Sequence, residues 1–516
     1  MITARFSPQA LEHDWSSALS ELGRHQIVER LWDGDHTAVQ PQPEEVSNRL
    51  GWLHVIGQSL QQWPQWVAAA DEIAEDGSGT DLGQIDHVLI LGMGGSSLFP
   101  EVLARTFAHG DGFPELIVLD STDPAAILRV AETCDPDRTI VVAASKSGST
   151  IETRSHLAYF WDRYPHGSQF VAITDPGSDL EAFAQAHEFR WIAHGDELIG
   201  GRFSALSAFG MVPGALMGLD ADDLLVTAEE AAELLGPEVA AEDHLGCQLG
   251  ALIAVAAQHG RDKLTFLIEE PLAAFGGWLE QLIAESTGKH GLGVLPIIGE
   301  SADSPDSDHR LFVVIGDADL NGLSSDGLPG PSVHLSIEEP QDLGAHVFLW
   351  EFATTVAGIV LGINPFDQPD VESAKLAARS ILSSSSEPPR ETPLSEALGF
   401  LRSGDALVIG AFVDPALEPE LQAARLAVGR SAGVATTLGI GPRFLHSTGQ
   451  LHKGGPDRIV FLQVVNSEDP FVEIPGETFS FGELKQAQAD GDLAALQACG
   501  KRAFRVPLAE LLQVGN

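Results

Sequence analysis

The sequence predicts an α/β protein: two doubly wound parallel-sheet αβα subdomains, a helical N-terminal segment and a smaller C-terminal α/β extension. Three observations support this prediction. From about residue 86, short apolar runs alternate with helical segments, which is typical of parallel strands with helices between them. A second strand-rich region of the same texture begins near residue 260. A polar linker then separates it from the last unit.

The boundaries follow changes in composition along the chain. Residues 1–85 carry Leu and Trp at helical spacing, and a glycine-rich link, Gly77–Gly83, ends them. Ser383–Pro393, SSSSEPPRETP, is a second linker, because serine and proline dominate it. The predicted units between and after the links are residues 86–235 for the first subdomain, 236–385 for the second and 394–516 for the extension.

The strands are assigned to the apolar runs. In the first region these are HVLILGM (87–93), ELIVLD (115–120), TIVVAAS (139–145), FVAIT (170–174) and FRWIA (189–193). The second region holds KLTFLIEE (263–270), GVLPIIG (293–299), RLFVVIGD (310–317) and SVHLSIEE (332–339). A long helical stretch from about residue 204 to residue 259 connects the two regions.

Composition excludes several classes of partner. The chain has 74 acidic residues against 29 basic ones and a net charge of −45, which argues against nucleic acid or an anionic membrane as partner. Its three cysteines form no CxxC motif, which fits a reducing cytoplasm. The N-terminus lacks the apolar stretch of a signal peptide, and the longest apolar run, Leu249–Ala257, is too short to span a bilayer. We therefore expect a soluble cytoplasmic protein.

A glycine-rich motif, LGMGGSSLFP (91–100), joins the first strand to a helix. Its glycines let the backbone approach a ligand, and the N-terminus of the helix favours an anion. A dinucleotide site is an alternative, because Asp120 ends the next strand. Ser97 occupies the third glycine position of such a site, however, and the hydroxyls of Ser96 and Ser97 suit a phosphate monoester better.

A second motif, AASKSGSTIET (143–153), also follows a strand directly. Within six residues it offers four hydroxyls and one ammonium group, on Ser145, Lys146, Ser147, Ser149 and Thr150. At a helix N-terminus this set predicts a phosphate cradle. A serine-rich helix cap is the alternative, although one hydroxyl would suffice for a cap.

A third motif, GGRFSALSAFG (200–210), presents Arg202 after two glycines and before an apolar helix. An arginine fixed at such a loop can neutralise charge that develops on a substrate oxygen. A surface salt bridge is the alternative interpretation.

The stretch Pro271–Lys289, PLAAFGGWLEQLIAESTGK, predicts an amphipathic helix that ends at Gly288. Gln281 and Glu285 are four residues apart, so both project from one face. Glu285 lies in the last turn, where the negative end of the helix dipole disfavours a charged carboxylate. A structural acid would be better placed at the other end, so Glu285 is a candidate base. A solvated surface glutamate is the alternative.

Two further motifs contribute a histidine and a lysine. His346 enters an apolar helix in LGAHVFLWEFA (343–353), where a satisfied core histidine is the alternative. In GINPFDQPDVESAK (362–375), prolines make a rigid turn, and Lys375 lies a little over one turn into the next helix.

Together these motifs resemble the phosphoglucose isomerase (glucose-6-phosphate isomerase) family. The match runs in the family's order through GMGGSS, SKSGST, GGRFS, QLIAESTGK and NPFDQPDVESAK, and covers about residues 85–385. The tail, including GPRFLHSTGQLHKGGP (441–456), is similar to the isomerase half of fused transaldolase–phosphoglucose isomerase proteins. This sequence contains no transaldolase half, so we infer no transaldolase activity. A second anion site, a subunit contact and a packed loop all stay open for the tail motif, with His446, Ser447, Thr448, His452 and Lys453.

The resemblance implies two sugar-isomerase (SIS) subdomains in a homodimer that acts on a sugar phosphate without a metal or cofactor. It implies that Glu285 moves a proton between C2 and C1 through a cis-enediol(ate), and that Arg202 stabilises the negative charge of this intermediate. His346, contributed by a second subunit, and Lys375 would open the pyranose ring. The residues that would hold the phosphate or orient the sugar are Ser96, Ser145, Lys146, Ser147, Thr150, Gln281 and Gln368.

The chemistry agrees with this resemblance. Aldose–ketose isomerisation needs a base that takes and returns one proton, a cation for the enediolate and an anchor for the phosphate. The sequence has no HxH or HExxH motif, which disfavours a metal-dependent isomerase. The expected function is interconversion of glucose 6-phosphate and fructose 6-phosphate, in glycolysis and gluconeogenesis. The alternatives are an isomerase of another phosphosugar, such as mannose 6-phosphate, and a non-catalytic regulatory protein that binds sugar phosphates. A dehydrogenase is more distant, because the glycine motif is incomplete.

Overall fold

The computed structural model describes residues 2–75, 85–220, 222–318, 320, 322, 327–370, 382, 389–466 and 468–515. Lys375, the whole Gly77–Gly83 link and most of the Ser383–Pro393 linker lie outside these residues. The described chain forms three β-sheets with helices packed against them. The predicted α/β class is therefore confirmed.

The strands of the described residues are β1 (Ala4–Ser7), β2 (His87–Leu91), β3 (Glu115–Leu119), β4 (Thr139–Ala144), β5 (Phe170–Thr174), β6 (Trp191–His194), β7 (Lys263–Ile268), β8 (Leu295–Ile297), β9 (Arg310–Ile315), β10 (Ser332–Leu335), β11 (Ala406–Phe412), β12 (Ala435–Ile440), β13 (Ile459–Val465) and β14 (Arg502–Arg505).

The helices are α1 (Glu12–Arg24), α2 (Ile27–Trp32), α3 (Val55–Glu75), α4 (Leu98–Thr106), α5 (Pro124–Thr133), α6 (Ile151–Arg163), α7 (Asp179–Ala186), α8 (Ala208–Leu216), α9 (Asp222–Leu234), α10 (Leu245–Gln258), α11 (Phe275–Thr287), α12 (Leu343–Leu361), α13 (Leu394–Leu398), α14 (Glu418–Ala432), α15 (Gly449–Gly454), α16 (Phe481–Ala498) and α17 (Leu508–Val514).

The first sheet is parallel throughout and has the strand order β3-β2-β4-β5-β6. Every residue of β4 is buried, which explains why this strand is a continuous apolar run rather than an alternating one. The chain moves outward in one direction from β2 and in the other from β4. The loops after these two strands therefore flank a switch point of the sheet, and they carry the glycine-rich motif and the hydroxyl-rich motif.

The second sheet has the order β1-β10-β9-β7-β8. Its strands are parallel except for β1, which pairs antiparallel with β10. The predicted helical character of residues 1–85 is thus wrong at the start of the segment. Residues 4–7 alternate in polarity and complete the edge of this sheet, a pairing partner some 330 positions away along the chain.

Helix α12 lies in the core and packs against α9, α10 and α11. The helical stretch Pro340–Leu361 is the one described stretch long and apolar enough to cross a membrane. Of its most apolar window, 89% is buried inside the fold, so it is better explained as a core helix than as a membrane span.

Glu351 on α12 gives a stability prediction. It is fully buried, and neither carboxylate oxygen has a hydrogen-bond partner among the described residues. Burial raises the pKa of this carboxyl well above the ordinary value of 4.5. The folded protein therefore keeps a proton that the unfolded chain releases. Stability is lost as the pH rises above 4.5, by about 1.4 kcal/mol per pH unit until the folded-state pKa is reached.

Glu351→Gln should remove this loss. We expect the variant to exceed the wild type in free energy of unfolding by a margin that grows between pH 5 and pH 8, as denaturant titrations would measure. Glu230→Gln, at an exposed position on α9, is the control and should show no such trend. A pH-independent difference between wild type and Glu351→Gln would contradict the prediction.

The extension forms the third sheet, which is parallel and has the order β12-β11-β13-β14. Buried polar contacts tie it to both subdomains. The guanidinium of Arg425 donates to the main-chain carbonyls of Ile298 and Gly299 in the second subdomain. The Nζ atom of Lys485 lies 2.8 Å from Oδ2 of Asp123 in the first. The extension is thus part of the same packed body as the two larger sheets.

Candidate active site

A cavity of about 560 Å³ lies at the carboxyl end of the first sheet, at the switch point between β2 and β4. Nine of the eleven residues predicted for the site line it: Ser96, Ser145, Lys146, Ser147, Thr150, Arg202, Gln281, Glu285 and Gln368. Crevices at switch points are the usual ligand sites of doubly wound sheets. This cavity is therefore the candidate active site.

Two glycines shape the loop after β2. Gly94 has a φ of +57°, and a Cβ there would lie 2.8 Å from Nε2 of Gln281 and 3.0 Å from the carbonyl oxygen of His446. A Cβ on Gly95 would lie 2.0 Å from the carbonyl oxygen of Gly201. The glycines therefore allow the close approach that brings α11, the arginine loop and the tail motif into one cavity.

The acid that a dinucleotide site would need is engaged elsewhere. The Oδ2 atom of Asp120 lies 2.7 Å from Nε of Arg443, and the residue is buried. Ser97 is fully buried in the third glycine position, with its hydroxyl bonded to the carbonyl of Gly94. This arrangement disfavours the dinucleotide alternative.

The loop after β4 presents its hydroxyls at the start of α6. Gly148 turns the loop with a φ of +68°. The Oγ atoms of Ser147 and Ser149 are 2.8 Å apart, and Oγ of Ser145 lies 3.3 Å from Oγ1 of Thr150. Thr150 is the N-cap of α6, but its side chain makes no capping bond. The hydroxyl and the first amide groups of the helix can therefore bind an anion.

Lys146 lines the cavity as one half of an ion pair. Its Nζ atom lies 2.8 Å from Oδ1 of Asp175 and donates to the carbonyl of Asp196, also at 2.8 Å. The pair holds the ammonium group at the cavity wall and offsets part of its charge. A phosphate bound here would compete with Asp175 for this cation.

Arg202 is held through all three nitrogens of its guanidinium. Nε donates to Oγ of Ser286 at 2.9 Å, and Nη1 donates to Oε1 of Gln368 at 3.0 Å and lies 3.2 Å from Oε1 of Glu285. Nη2 donates to two main-chain carbonyls of the turn 365–367, at 2.7 and 3.0 Å. Four hydrogen bonds and the ion pair with Glu285 therefore fix the orientation of the cation.

The arginine belongs to a buried group of opposite charges. Burial lowers the pKa of Arg202, whereas the charges of Glu285 and Asp367 raise it. The Nζ atom of Lys289, which is fully buried, lies 2.9 Å from Oδ1 of Asp367. Burial, followed by the charge of Arg202, lowers the pKa of Lys289 to about 7. The two cations are thus each paired with a carboxylate in a chain whose net charge is −45.

Helix α11 carries the candidate base into the cavity. Glu285 is 7% exposed, and its Oε2 atom accepts a hydrogen bond from Nε2 of Gln281 at 3.2 Å. The Oε1 atom of Gln281 is buried and has no hydrogen-bond partner among the described residues, so it is free to accept a bond from a sugar hydroxyl. The cavity therefore combines a carboxylate, a fixed cation, an unused acceptor and an anion cradle.

The sequence is similar to proteins of a known family. The family model for phosphoglucose isomerase matches residues 60–293. A glucose-6-phosphate isomerase of Rubrobacter xylanophilus is 27% identical over 408 residues, which cover 64% of this chain and 91% of the relative. One of Thermosynechococcus vestitus is 30% identical over 356 residues, which cover 58% of this chain and 66% of the relative. The chain is thus similar to members of the phosphoglucose isomerase family.

Two solved structures resemble the fold. The hypothetical protein TT0462 from Thermus thermophilus has a TM-score of 0.57 at 26% identity, covering 74% of this chain and 100% of the other. A glucose-6-phosphate isomerase from Chlamydia trachomatis has a TM-score of 0.61 at 18% identity, covering 75% of this chain and 89% of the other. The second likeness concerns the fold alone.

His346 does not lie in the phosphoglucose isomerase cavity. It is fully buried on α12, with Nε2 3.0 Å from the main-chain oxygen of Ser336 and its ring beside Phe275. Burial lowers its pKa to about 4, so the ring is neutral near pH 7. A side chain without exposure cannot reach the cavity of a second subunit either. The structure therefore favours a core histidine, which was the alternative interpretation of the sequence, over a ring-opening role for His346.

Among the cavity residues that the predicted site did not include are four polar ones: Glu152, His446, Lys453 and Gln488. Glu152 lies in the hydroxyl-rich motif, and its position in the first turn of α6 was the available signal. His446 and Lys453 belong to the tail motif, whose density of polar residues between glycines was the available signal. Gln488 lies within α16 and carries no local signal. Lys375 lies outside the described residues, and its role stays a prediction.

Proposed function

We propose that this chain is a glucose-6-phosphate isomerase that interconverts glucose 6-phosphate and fructose 6-phosphate. The observation that carries the proposal is the contact between the Glu285 carboxylate and the fixed guanidinium of Arg202, 3.2 Å apart in a cavity that also holds an anion cradle. The similarity to the phosphoglucose isomerase family supports it.

Each group has a role in this reaction. The hydroxyls of Ser145, Ser147 and Thr150 and the amide groups at the start of α6 bind the phosphate, whose binding energy positions the sugar. Glu285 removes the C2 proton of the open-chain aldose and returns it to C1. Arg202 stabilises the negative charge on the enediolate oxygen.

The remaining predicted residues complete this proposal. The hydroxyl of Ser96 and the ammonium group of Lys146 add phosphate contacts. Gln281 and Gln368 orient the sugar hydroxyls, the first through its unused Oε1 atom. Lys375 is proposed to assist ring opening.

A regulatory protein that only binds sugar phosphates is the rival from another class. Binding would require the cradle, but it would not require a buried carboxylate beside a guanidinium fixed by four hydrogen bonds. An isomerase that prefers another phosphosugar, such as mannose 6-phosphate, would use the same groups with a different fit around C2.

The decisive experiment follows fructose 6-phosphate formation from glucose 6-phosphate with a coupled assay, at low and at high salt because of the charge of −45. Turnover supports the proposal, and binding without turnover under both conditions would favour the regulatory protein. Mannose 6-phosphate is assayed in parallel, and a higher kcat/KM for it would reassign the substrate.

We also propose that the protein is a cytoplasmic homodimer, as the resemblance and the cysteine content imply. Light scattering coupled to size exclusion would give a mass near twice the 54.8 kDa of one chain.

A further inference from the structure

The extension brings a histidine into the cavity of its own chain. The Nε2 atom of His446 lies 2.9 Å from Oε1 of Glu152. The Nε2 atom of Gln281 donates to the main-chain oxygen of His446 at 2.8 Å and to Oε2 of Glu285 at 3.2 Å. One amide nitrogen thus joins the candidate base to the backbone of His446, so the two residues lie in the same part of the cavity.

Glu152 orients this histidine. Gln488 donates to the same Oε1 atom at 2.6 Å and accepts a hydrogen bond from Thr122 at 2.8 Å, which fixes the carboxylate. Burial would raise the pKa of Glu152, but the charge and hydrogen bond of His446 outweigh it and the pKa is lowered. The carboxylate bonded to Nε2 holds the imidazole ring in one orientation.

The second ring nitrogen of His446 is free for a ligand. With Nε2 bonded to Glu152, Nδ1 has no hydrogen-bond partner among the described residues. The side chain is 18% exposed and lines the cavity. The Nδ1 atom of His346 also has no hydrogen-bond partner among the described residues, but His346 is fully buried and does not line the cavity.

The fold holds His446 in this place. Arg443, in the same turn, lies 2.6 Å from Glu101 and 2.7 Å from Asp120 of the first subdomain. The absence of a side chain on Gly94 makes room for the carbonyl of His446. The histidine is therefore delivered by packed contacts within one chain.

We propose that His446, oriented by Glu152, is the acid–base residue that opens and closes the sugar ring, and that the extension supplies it to the cavity of its own chain. The proposal rests on the proposed isomerase function. It replaces the role that the resemblance gave to His346 of a second subunit.

The ring-opening step balances without a cofactor. Protonated His446 donates its Nδ1 proton to the ring oxygen O5 as the C1–O5 bond breaks. The O1 hydroxyl loses its proton to a water molecule, and the C1=O1 carbonyl forms. His446 recovers a proton from that water, so the step consumes none. Glu285 then acts on the open chain.

Ring opening and proton transfer are measurable separately. Opening followed by reclosure exchanges the α and β anomers of glucose 6-phosphate, which exchange NMR detects above the rate without enzyme. Transfer at C2 exchanges that hydrogen with deuterium from the solvent. We expect Glu285→Gln to keep enzyme-catalysed anomer exchange and to lose C2 exchange.

His446→Asn should lose anomer exchange, with isomerisation reduced about 100-fold or more because only spontaneously opened sugar reacts. The Glu152→Gln variant keeps the histidine and leaves it a hydrogen-bond acceptor. It should lower the rate of anomer exchange more than the rate of C2 exchange in sugar that is already in the open-chain form. The control is His194→Asn, which removes an exposed histidine paired with Glu181 outside the cavity, and should match the wild type.

Mixing the His446→Asn protein with the Glu285→Gln protein tests whether His446 acts in the cavity of its own chain. If the histidine came from a second subunit, mixed dimers would contain a complete cavity and recover activity. We expect no recovery, and recovery would overturn the supply within one chain.

Wild-type anomer exchange in both His446→Asn and Glu152→Gln would overturn the role of His446. If circular dichroism shows that the His446→Asn protein does not fold, the anomer exchange of the Glu152→Gln protein alone decides the role of His446. A wild-type protein that makes no fructose 6-phosphate would instead overturn the proposed function, and the role of His446 with it.

Discussion

Replacing Glu285 by glutamine is expected to lower the isomerisation rate by about three orders of magnitude or more while sugar phosphate binding changes little. The amide has the size of the carboxyl but cannot take a proton from C2, and a positioned base contributes roughly 10²–10⁴-fold to such a step. The proposed phosphate cradle does not contact Glu285 through any described hydrogen bond.

The measurement pairs kcat with the affinity for 6-phosphogluconate, an open-chain sugar phosphate that cannot isomerise. Glu280→Gln is the matched control, because it makes the same chemical change one residue earlier on α11, at a position that does not line the cavity. It should retain the wild-type rate. A Glu285→Gln variant that retains the wild-type rate would refute the base assignment, and one that loses both rate and affinity would indicate a structural role.

The candidate site was predictable where its residues follow strands. In a parallel sheet, the loops after neighbouring strands emerge at one edge, so the motifs after β2 and β4 had to meet. Glu285 could be assigned to a face by helical spacing from Gln281. These local rules needed no knowledge of distant contacts.

His346 could not be assigned in this way. Nearly every side of α12 is buried, so its apolar pattern has no single face that distinguishes the cavity from the core. Only the packing of other helices around α12 determines that the ring meets Ser336 rather than a ligand.

Pairings between distant parts of the chain could not be predicted from the sequence either. The partner of β1 is β10, and the partner of Lys146 is Asp175, 29 positions on, which changes the expected free cation into an ion pair. Asp120, the acid that the dinucleotide alternative would need, instead pairs with Arg443 and anchors the extension. Neither spacing nor composition encodes such contacts, because they depend on how whole elements pack.

Replacing Arg202 by lysine is expected to lower kcat by about 10²–10³-fold, the usual loss when a donor to a developing oxyanion is removed. Lysine keeps the charge but offers three donors in place of five, so it cannot hold Ser286, Gln368 and the turn 365–367 together while facing Glu285.

Steady-state kinetics would locate the loss of the Arg202→Lys variant in kcat rather than in KM, because the enediolate charge exists only after proton removal. Arg129→Lys, an exposed arginine paired with Asp414, should behave as the wild type. If Arg202→Lys raised KM alone, the guanidinium would be a binding group for the ground state. A selective loss in kcat would instead place the cation at the oxygen that becomes charged, and would explain why a buried arginine is fixed by four hydrogen bonds.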